Sequence, residues 1–274
     1  MTATSTPVTS APAFRRRPLA ALAKAEYLQF RRNKTLVWMG VLFPVGTSLA
    51  TYFLLIRDGE PTAAIAASTL ELITLVSLLF VQYYSVLSMI TTRRGEGVLK
   101  RLRTGEAADW QIQTAPAVPG ALLTVASTVA VAAVVYATGA PAPVNAAAMA
   151  LALIAGIVLF SLLALATSAV TKNAEAAQIT SLPVMTVAML GMGWLRGALP
   201  DQLAAVADWT PFAAISDLVY LGASGRTATA DSAAATLDFA GTCAELGRPF
   251  ATLAIWTVLA FALTRKSFRW DDRG

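Results

Sequence analysis

Apolar and polar residues fall along this chain in long blocks. Six apolar runs, at about 36–56, 68–91, 119–136, 146–170, 176–195 and 249–264, are separated by polar or proline-rich turns. Each approaches the roughly 20 residues that a helix needs to cross the hydrocarbon of a bilayer. Ahead of them a helical period appears: Leu19, Leu22, Ala23, Tyr27 and Phe30 share one face, while Lys24, Gln29 and Arg31 fall mostly elsewhere. This predicts an amphipathic helix over 14–34 lying in the membrane interface, with Arg15, Arg16 and Arg17 toward anionic headgroups. Residues 1–13, rich in Thr, Ser, Ala and Pro and without apolar period, read as a disordered tail. A secretory or twin-arginine signal is the competing reading of this region, but Lys24 and Glu26 interrupt what would be its apolar segment.

The pattern therefore predicts an all-α membrane protein: a six-span domain over 35–274 behind an amphipathic interfacial helix. Pro44 should kink the first span. The second carries Glu71 near one end and Gln82, Tyr83, Tyr84 and Ser85 around its middle. A glutamine in hydrocarbon turns toward protein or water, so Gln82 and Ser85 are candidates either for a helix–helix hydrogen bond or for the lining of a substrate path. The fourth span, rich in Ala, Gly and Ser, allows close helix approach. On the fifth, Met185, Met189 and Met192 are expected to share a face, as ordinary core or as an adaptable apolar lining of the same path.

Composition agrees with the pattern. Hydrophobic residues make up 56% of the chain and charged ones only 14%, and the mean hydropathy is +0.61. The net charge of +5 does not point to nucleic acid, because the basic residues flank apolar spans without interleaved aromatics. Histidine is absent and Cys243 stands alone. The commonest general base and metal ligand is therefore missing, and no internal disulfide can form. No phosphate-binding loop, metal-ligand spacing or Ser/His/Asp set is present, so neither a catalytic site nor a cofactor is expected in this chain. Charge also orients it. With both ends on the cytoplasmic side, all of the 21 Lys and Arg except Arg57, Arg196, Arg226 and Arg248 lie inside.

Two loops depart from simple connection. The first, over 92–110, is dense in charge: Arg93, Arg94, Glu96, Gly97, Val98, Leu99, Lys100, Arg101, Leu102 and Arg103. As a short helix it sets Val98, Leu99 and Leu102 on one ridge, with Glu96 four residues before Lys100 for an ion pair worth about 0.2–0.5 kcal/mol. A positive-inside loop explains the arginines but not the ridge. An apolar knob within a cationic collar fits contact with a partner, Leu99 and Leu102 seating in its cleft. The second loop, 196–247, is acidic and is punctuated by Pro200 and Pro211, which should set its corners. Trp209, Phe212, Ile215, Leu218, Val219 and Tyr220 argue for short helices lying at or dipping into the outer leaflet, with Trp209 and Tyr220 at headgroup depth. An unstructured loop is the alternative, mainly for 223–236.

The order of these parts resembles the membrane subunit of ABC-2 type exporters. Glu96-Gly97-Val98-Leu99-Lys100-Arg101-Leu102-Arg103 is similar to that family's Glu-Gly-Thr-Leu-Lys-Arg-Leu-Arg run, with Val98 in place of Thr and Thr104-Gly105-Glu106 in place of Thr-Pro. Leu199-Pro200 and Trp209-Thr210-Pro211 resemble its outer Leu-Pro…Pro-Leu-Thr region. The resemblance implies that 92–110 holds a cytoplasmic coupling helix and that 196–247 forms outer re-entrant helices capping the path before span six. It further implies a permease in the bacterial cell membrane that pairs with itself or a sister permease. Two copies of a separate ATPase subunit, carrying ATP and Mg²⁺, would bind below, and a drug, antibiotic or lipid-like compound would move outward. A scaffold or sensor that recruits a soluble partner through the basic loop is the alternative from another class, and a self-powered carrier a third.

Overall fold

A computed structural model describes residues 18–271, apart from 33, 106, 232 and 233. The N-terminal tail and Arg15, Arg16 and Arg17 lie outside the described residues. The described chain is helical, without strands. Helix α1 is Pro18–Arg32. A second helical rod, α2, joins Lys34–Val37, a π-helical turn at Trp38–Leu42 and Phe43–Leu55. Then come α3, Ala63–Gly95; the short helices α4, Val98–Arg103, and α5, Asp109–Thr114; α6, Ala117–Ala137; and α7, Ala146–Ser168. Helix α8 covers Ala176–Leu190, α9 Gly193–Arg196, α10 Asp201–Ala207, α11 Pro211–Ser224, α12 Phe239–Glu245 and α13 Gly247–Ser267.

Four of these, α3, α6, α7 and α13, are long and apolar enough to cross a membrane. The apolar part of α2, Gly40–Leu55, and α8 are shorter. Local chemistry sets the starts: the Thr62 hydroxyl accepts from the Ile65 amide at 3.2 Å, and the Asn145 side chain accepts from the Ala148 amide at 3.0 Å. Such caps satisfy amides that the first helical turn leaves without partners. At α3 the cap moves the start five residues ahead of the apolar run. The outward faces carry exposed apolar side chains, among them Leu122, Val129, Ile154, Val258 and Leu259, on a scale that suits lipid rather than water.

Helix α11 lies at the centre. It packs against α7, α3, α13 and α8, and all its residues are buried except Asp217 and Tyr220, which are half-buried. Of the two placements expected for this insertion, at the outer leaflet or dipping into it, α11 departs from the first: it is enclosed by protein. Phe212, Ile215, Leu218 and Val219 are apolar because they face neighbouring helices, not headgroups. Close approach depends on two glycines. A Cβ on Gly156 of α7 would come within 2.7 Å of Leu78 and 3.2 Å of Ile215. On Gly222 of α11 it would meet the Asn145 carbonyl oxygen at 2.7 Å and the Met149 amide at 3.1 Å.

The fifth run also departs from expectation. Helix α8 ends at Leu190, and the chain leaves it at Gly191, where a Cβ would be 2.6 Å from the Ala213 amide and 2.8 Å from the Thr210 hydroxyl. Met192 then turns extended, with ψ 138°. The three methionines therefore do not form one helical face: Met189 is exposed, Met185 half-buried and Met192 buried.

The glycine contacts generate a test. Gly222→Ala should destabilise the purified protein by about 1–3 kcal/mol, since backbone atoms at Asn145 and Met149 cannot move aside as a side chain would. Gly46→Ala, with nothing within 4 Å of its added carbon, should be neutral or stabilising by about 0.5–1 kcal/mol. Thermal unfolding in detergent compares the two.

Candidate functional site

At the basic end of the bundle α3 stops at Gly95, and Gly97 takes φ +68° to turn the chain into α4. That left-handed conformation is open to glycine and costly for most other residues. Helix α4 packs on the end of α3 and on α5. Its ridge points inward: Leu99 is fully buried and Leu102 packs half-buried against the same core. Leu99 therefore locks the short helix to its own chain and cannot be the knob that enters a partner. Val98 is half-buried, and Glu96, Lys100, Arg101 and Arg103 are exposed, with the Trp110 indole exposed on α5. Because α4 begins only at Val98, Glu96 lies before the helix, and the expected i, i+4 pair with Lys100 has no helical register to form in. The Arg101 guanidinium donates instead to the Glu96 carbonyl at 3.3 Å.

Arg93 and Arg94, both assigned to the cationic collar, are turned into the protein. Arg93 forms an ion pair with Glu26 of α1, and both side chains are almost wholly buried. Arg94 donates to the Ser168 carbonyl at 2.7 Å, to the Thr171 carbonyl and to the Lys172 carbonyl at 3.4 Å. Ser168 is the last residue of α7, so a cation sits on carbonyls that the helix end leaves unsatisfied. One arginine thus holds α1 and the next holds α7. Glu26 gave a sequence signal, a carboxylate on the apolar side of α1, but nothing local identifies its partner.

The opposite end carries a second polar network that sequence reasoning did not assemble. Glu71, buried within α3, accepts from the Gly193 amide at 2.7 Å and from the Ser216 hydroxyl of α11. Arg196, only 2% exposed, donates to Asp217 at 2.6 Å and to Asp208 at 2.8 Å. Burial works against its charge, but the bonds and charges of Asp217 and Asp208 outweigh that effect and raise its pKa. Arg248 at the start of α13 reaches Asp208 at 3.2 Å and lies 5.4 Å over the Trp209 ring. The Trp256 indole donates to the Trp209 carbonyl at 2.8 Å. Of the outer-cap candidates, Pro200 and Pro211 stand at the starts of α10 and α11, and Trp209 is exposed. Phe212 is fully buried and Tyr220 half-buried.

The path candidates do not converge within one chain. Gln82, fully buried, donates to the Ser161 hydroxyl at 2.6 Å and the Ala117 carbonyl at 3.3 Å. It also lines a cavity of about 230 Å³ between α6 and α7, with Thr114, Ala121, Ile157 and Ser161. Ser85 is buried and bonds back to the Phe80 carbonyl at 2.9 Å, so it belongs to the helix. A second apolar cavity of about 190 Å³, lined by Phe160, Pro183, Val187, Pro211 and Trp256, lies on the other flank of α7. Met185, Met189 and Met192 line neither. Gln82 sits in a π-helical stretch, Ser77–Tyr84, where Gly120 presses so close that a Cβ there would be 2.9 Å from the Val81 carbonyl oxygen. Stretches of this kind often occur at functional positions.

The buried pair at the basic end yields a prediction. Arg93→Glu alone should cost about 3–5 kcal/mol of stability, because it leaves two carboxylates facing each other away from water. Adding Glu26→Arg should recover most of that loss. Thermal unfolding in detergent reads both, and a single variant that melts with the wild type would place the two charges in solvent.

No curated protein matches the chain. A family described as ABC-2 type transporter matches residues 17–221, a span that takes in α1, the basic loop, Gln82, Glu71, Arg196 and nearly all of α11. With three-quarters of its length covered, from α1 through the central buried helix α11, the chain belongs to the ABC-2 type transporter family.

Proposed function

We propose that this chain is the permease subunit of an ABC exporter, moving a lipophilic or amphipathic compound outward with ATP hydrolysed on a separate subunit. The observation that carries the reading is α4: a six-residue helix fixed by Leu99 from within, which leaves Lys100, Arg101 and Arg103 exposed at the basic end of the bundle. A rigid cationic projection of that kind passes force between a membrane bundle and a soluble motor. A flexible loop would dissipate it.

In this reading α2 and α8 complete six crossings with the four long helices. The basic end and both termini face the cytoplasm of a bacterial cell, as the distribution of Lys and Arg favours. Two ATPase copies carrying ATP and Mg²⁺ meet two permease copies, identical or sister. The cavity beside Gln82 is apolar with a few polar groups, the lining that suits an amphipathic drug, antibiotic or lipid-like cargo. The outer polar network around Arg196 closes the far end of the path.

The contact surface is redrawn from the sequence expectation. It consists of the exposed cations with Glu96, Val98 and Trp110, while Leu99, Arg93 and Arg94 act by holding α4 in place. Reversing charge in Lys100→Glu, Arg101→Glu and Arg103→Glu together should abolish recovery of an ATPase subunit with the tagged chain from native membranes, and ATP-dependent efflux with it. Arg57→Glu, exposed at the other end, should leave both intact. Undiminished recovery in the triple variant would remove α4 from the contact. Recovery of an ATPase without any ATP-dependent transport would favour a scaffold over a permease.

A further inference from the structure

At the basic end, beside α4, lies a cavity of about 790 Å³. Lys100 and Arg103 of α4 line one side and Lys266 near the end of α13 another, while Arg269 and Trp270 of the C-terminal segment close it. Among the described residues the acidic side chain in this lining is Asp271, against four cations. Arg103 has a partner in Asp109, exposed and 3.6 Å away, and it lies 4.9 Å over the Trp270 ring. No ion pair among the described residues occupies Lys100, Lys266 or Arg269. The Trp270 ring is itself held by an edge contact with Phe268, at 4.9 Å between centroids. The cavity is therefore built, not a chance spacing of surface lysines.

Position and chemistry identify an occupant. The cavity adjoins the ends of two candidate membrane helices, at Ser168 and Ser267, the level at which lipid headgroups lie. Val170 in its lining is 73% exposed, and Phe261 and Leu263 lie exposed on the preceding turns of α13. Guanidinium and ammonium groups are phosphate ligands, and an indole is favoured where one end is wet and the other apolar. Basic pockets between helices at this depth are the sites that take anionic lipid headgroups. A volume of this size exceeds a lone phosphate and admits a glycerophosphate with its first ester groups.

We propose that this cavity binds the anionic phosphate headgroup of a phospholipid, whose acyl chains run along α13, and that the lipid pins the C-terminal segment against the coupling helix. The site requires no ATPase subunit, so it is tested on the purified chain alone.

Native mass spectrometry in detergent would measure retention of dioleoyl phosphatidylglycerol against dioleoyl phosphatidylcholine. The wild-type chain should prefer phosphatidylglycerol. Lys266→Ala with Arg269→Ala should weaken that lipid about thirtyfold, on the scale of about fivefold per cation, and leave phosphatidylcholine unchanged. Lys266→Arg with Arg269→Lys should restore the preference, which separates charge from folding. Equal retention of the two lipids by the wild type, or an undiminished preference in the double alanine variant, would overturn the site. Displacement of the lipid by an equal concentration of glycerol phosphate would also overturn it, in favour of a soluble phosphate ligand.

Discussion

A charge or a polar backbone group cannot remain unpaired in a medium that excludes water, and that constraint shapes this bundle more than any single apolar contact. Glu26, Glu71, Arg93, Arg94 and Arg196 are all buried. Each reaches a different element: Arg93 and Glu26 join α3 to α1, Arg94 joins α3 to the end of α7, Glu71 joins α3 to α9 and α11, and Arg196 joins α9 to α10 and α11. An apolar surface in lipid can slide with little penalty, because lipid chains are as apolar as leucine. A buried ion pair cannot slide by one residue without exposing an uncompensated charge. The polar links therefore fix the register that apolar packing leaves loose.

Within that frame α11 can be short and central. At 14 residues it is too brief to cross a bilayer, and its ends would leave unsatisfied amides and carbonyls in hydrocarbon. The Thr210 hydroxyl accepts from the Ala213 amide at 3.2 Å. At the other end Gly225 takes φ +67°, and its carbonyl accepts from the Leu237 amide at 2.9 Å. Irregular backbone at depth is tolerated where protein covers it, and here four helices do. The small residues Gly156 and Gly222 then let the helix axes come close enough for that cover to be continuous.

How much of this was legible beforehand follows from which signals are local. The long apolar runs gave the positions of α3, α6, α7 and α13 to within a few residues, because length and hydropathy are properties of one segment. The depth of helix α11 was not legible for the converse reason. Its alternation of apolar residues with Ser216 and Asp217 reads as an interfacial helix until Glu71 and Arg196 are known to meet those polar groups. The ridge of Leu99 and Leu102 was likewise visible as a ridge, but periodicity assigns a face without saying what the face packs on. The methionine row failed at Gly191, where the helix ends in close contact with Thr210 and Ala213, distant in sequence. Gln82 stood out as a polar group needing a partner, and the helix–helix hydrogen bond is the one to Ser161; it also lines a cavity, the feature on which the proposed path rests.

The long helix α3 connects the two polar clusters. Glu71 near one end and Arg93 and Arg94 at the other are separated by roughly 33 Å of helix, at about 1.5 Å per residue. A continuous helix is stiff along its axis, so displacement of α4, locked to the basic end by Leu99, must be taken up by the whole rod or at a weak point within it. The π-helical stretch Ser77–Tyr84 is the place where the rod departs from the α hydrogen-bond pattern, so bending, where it occurs, would be expected there. In a permease this geometry gives the rod two modes. Rigid tilting would carry the basic end and the Glu71–Ser216 link together, whereas bending at Gln82 would move the basic end and leave the opposite network closed. The cavity beside Gln82 lies at the hinge between those modes. On the proposed reading, a ligand against Ile157 and Ser161 would fill the space into which the helix would bend, so occupancy there would be coupled to the choice between tilting and bending.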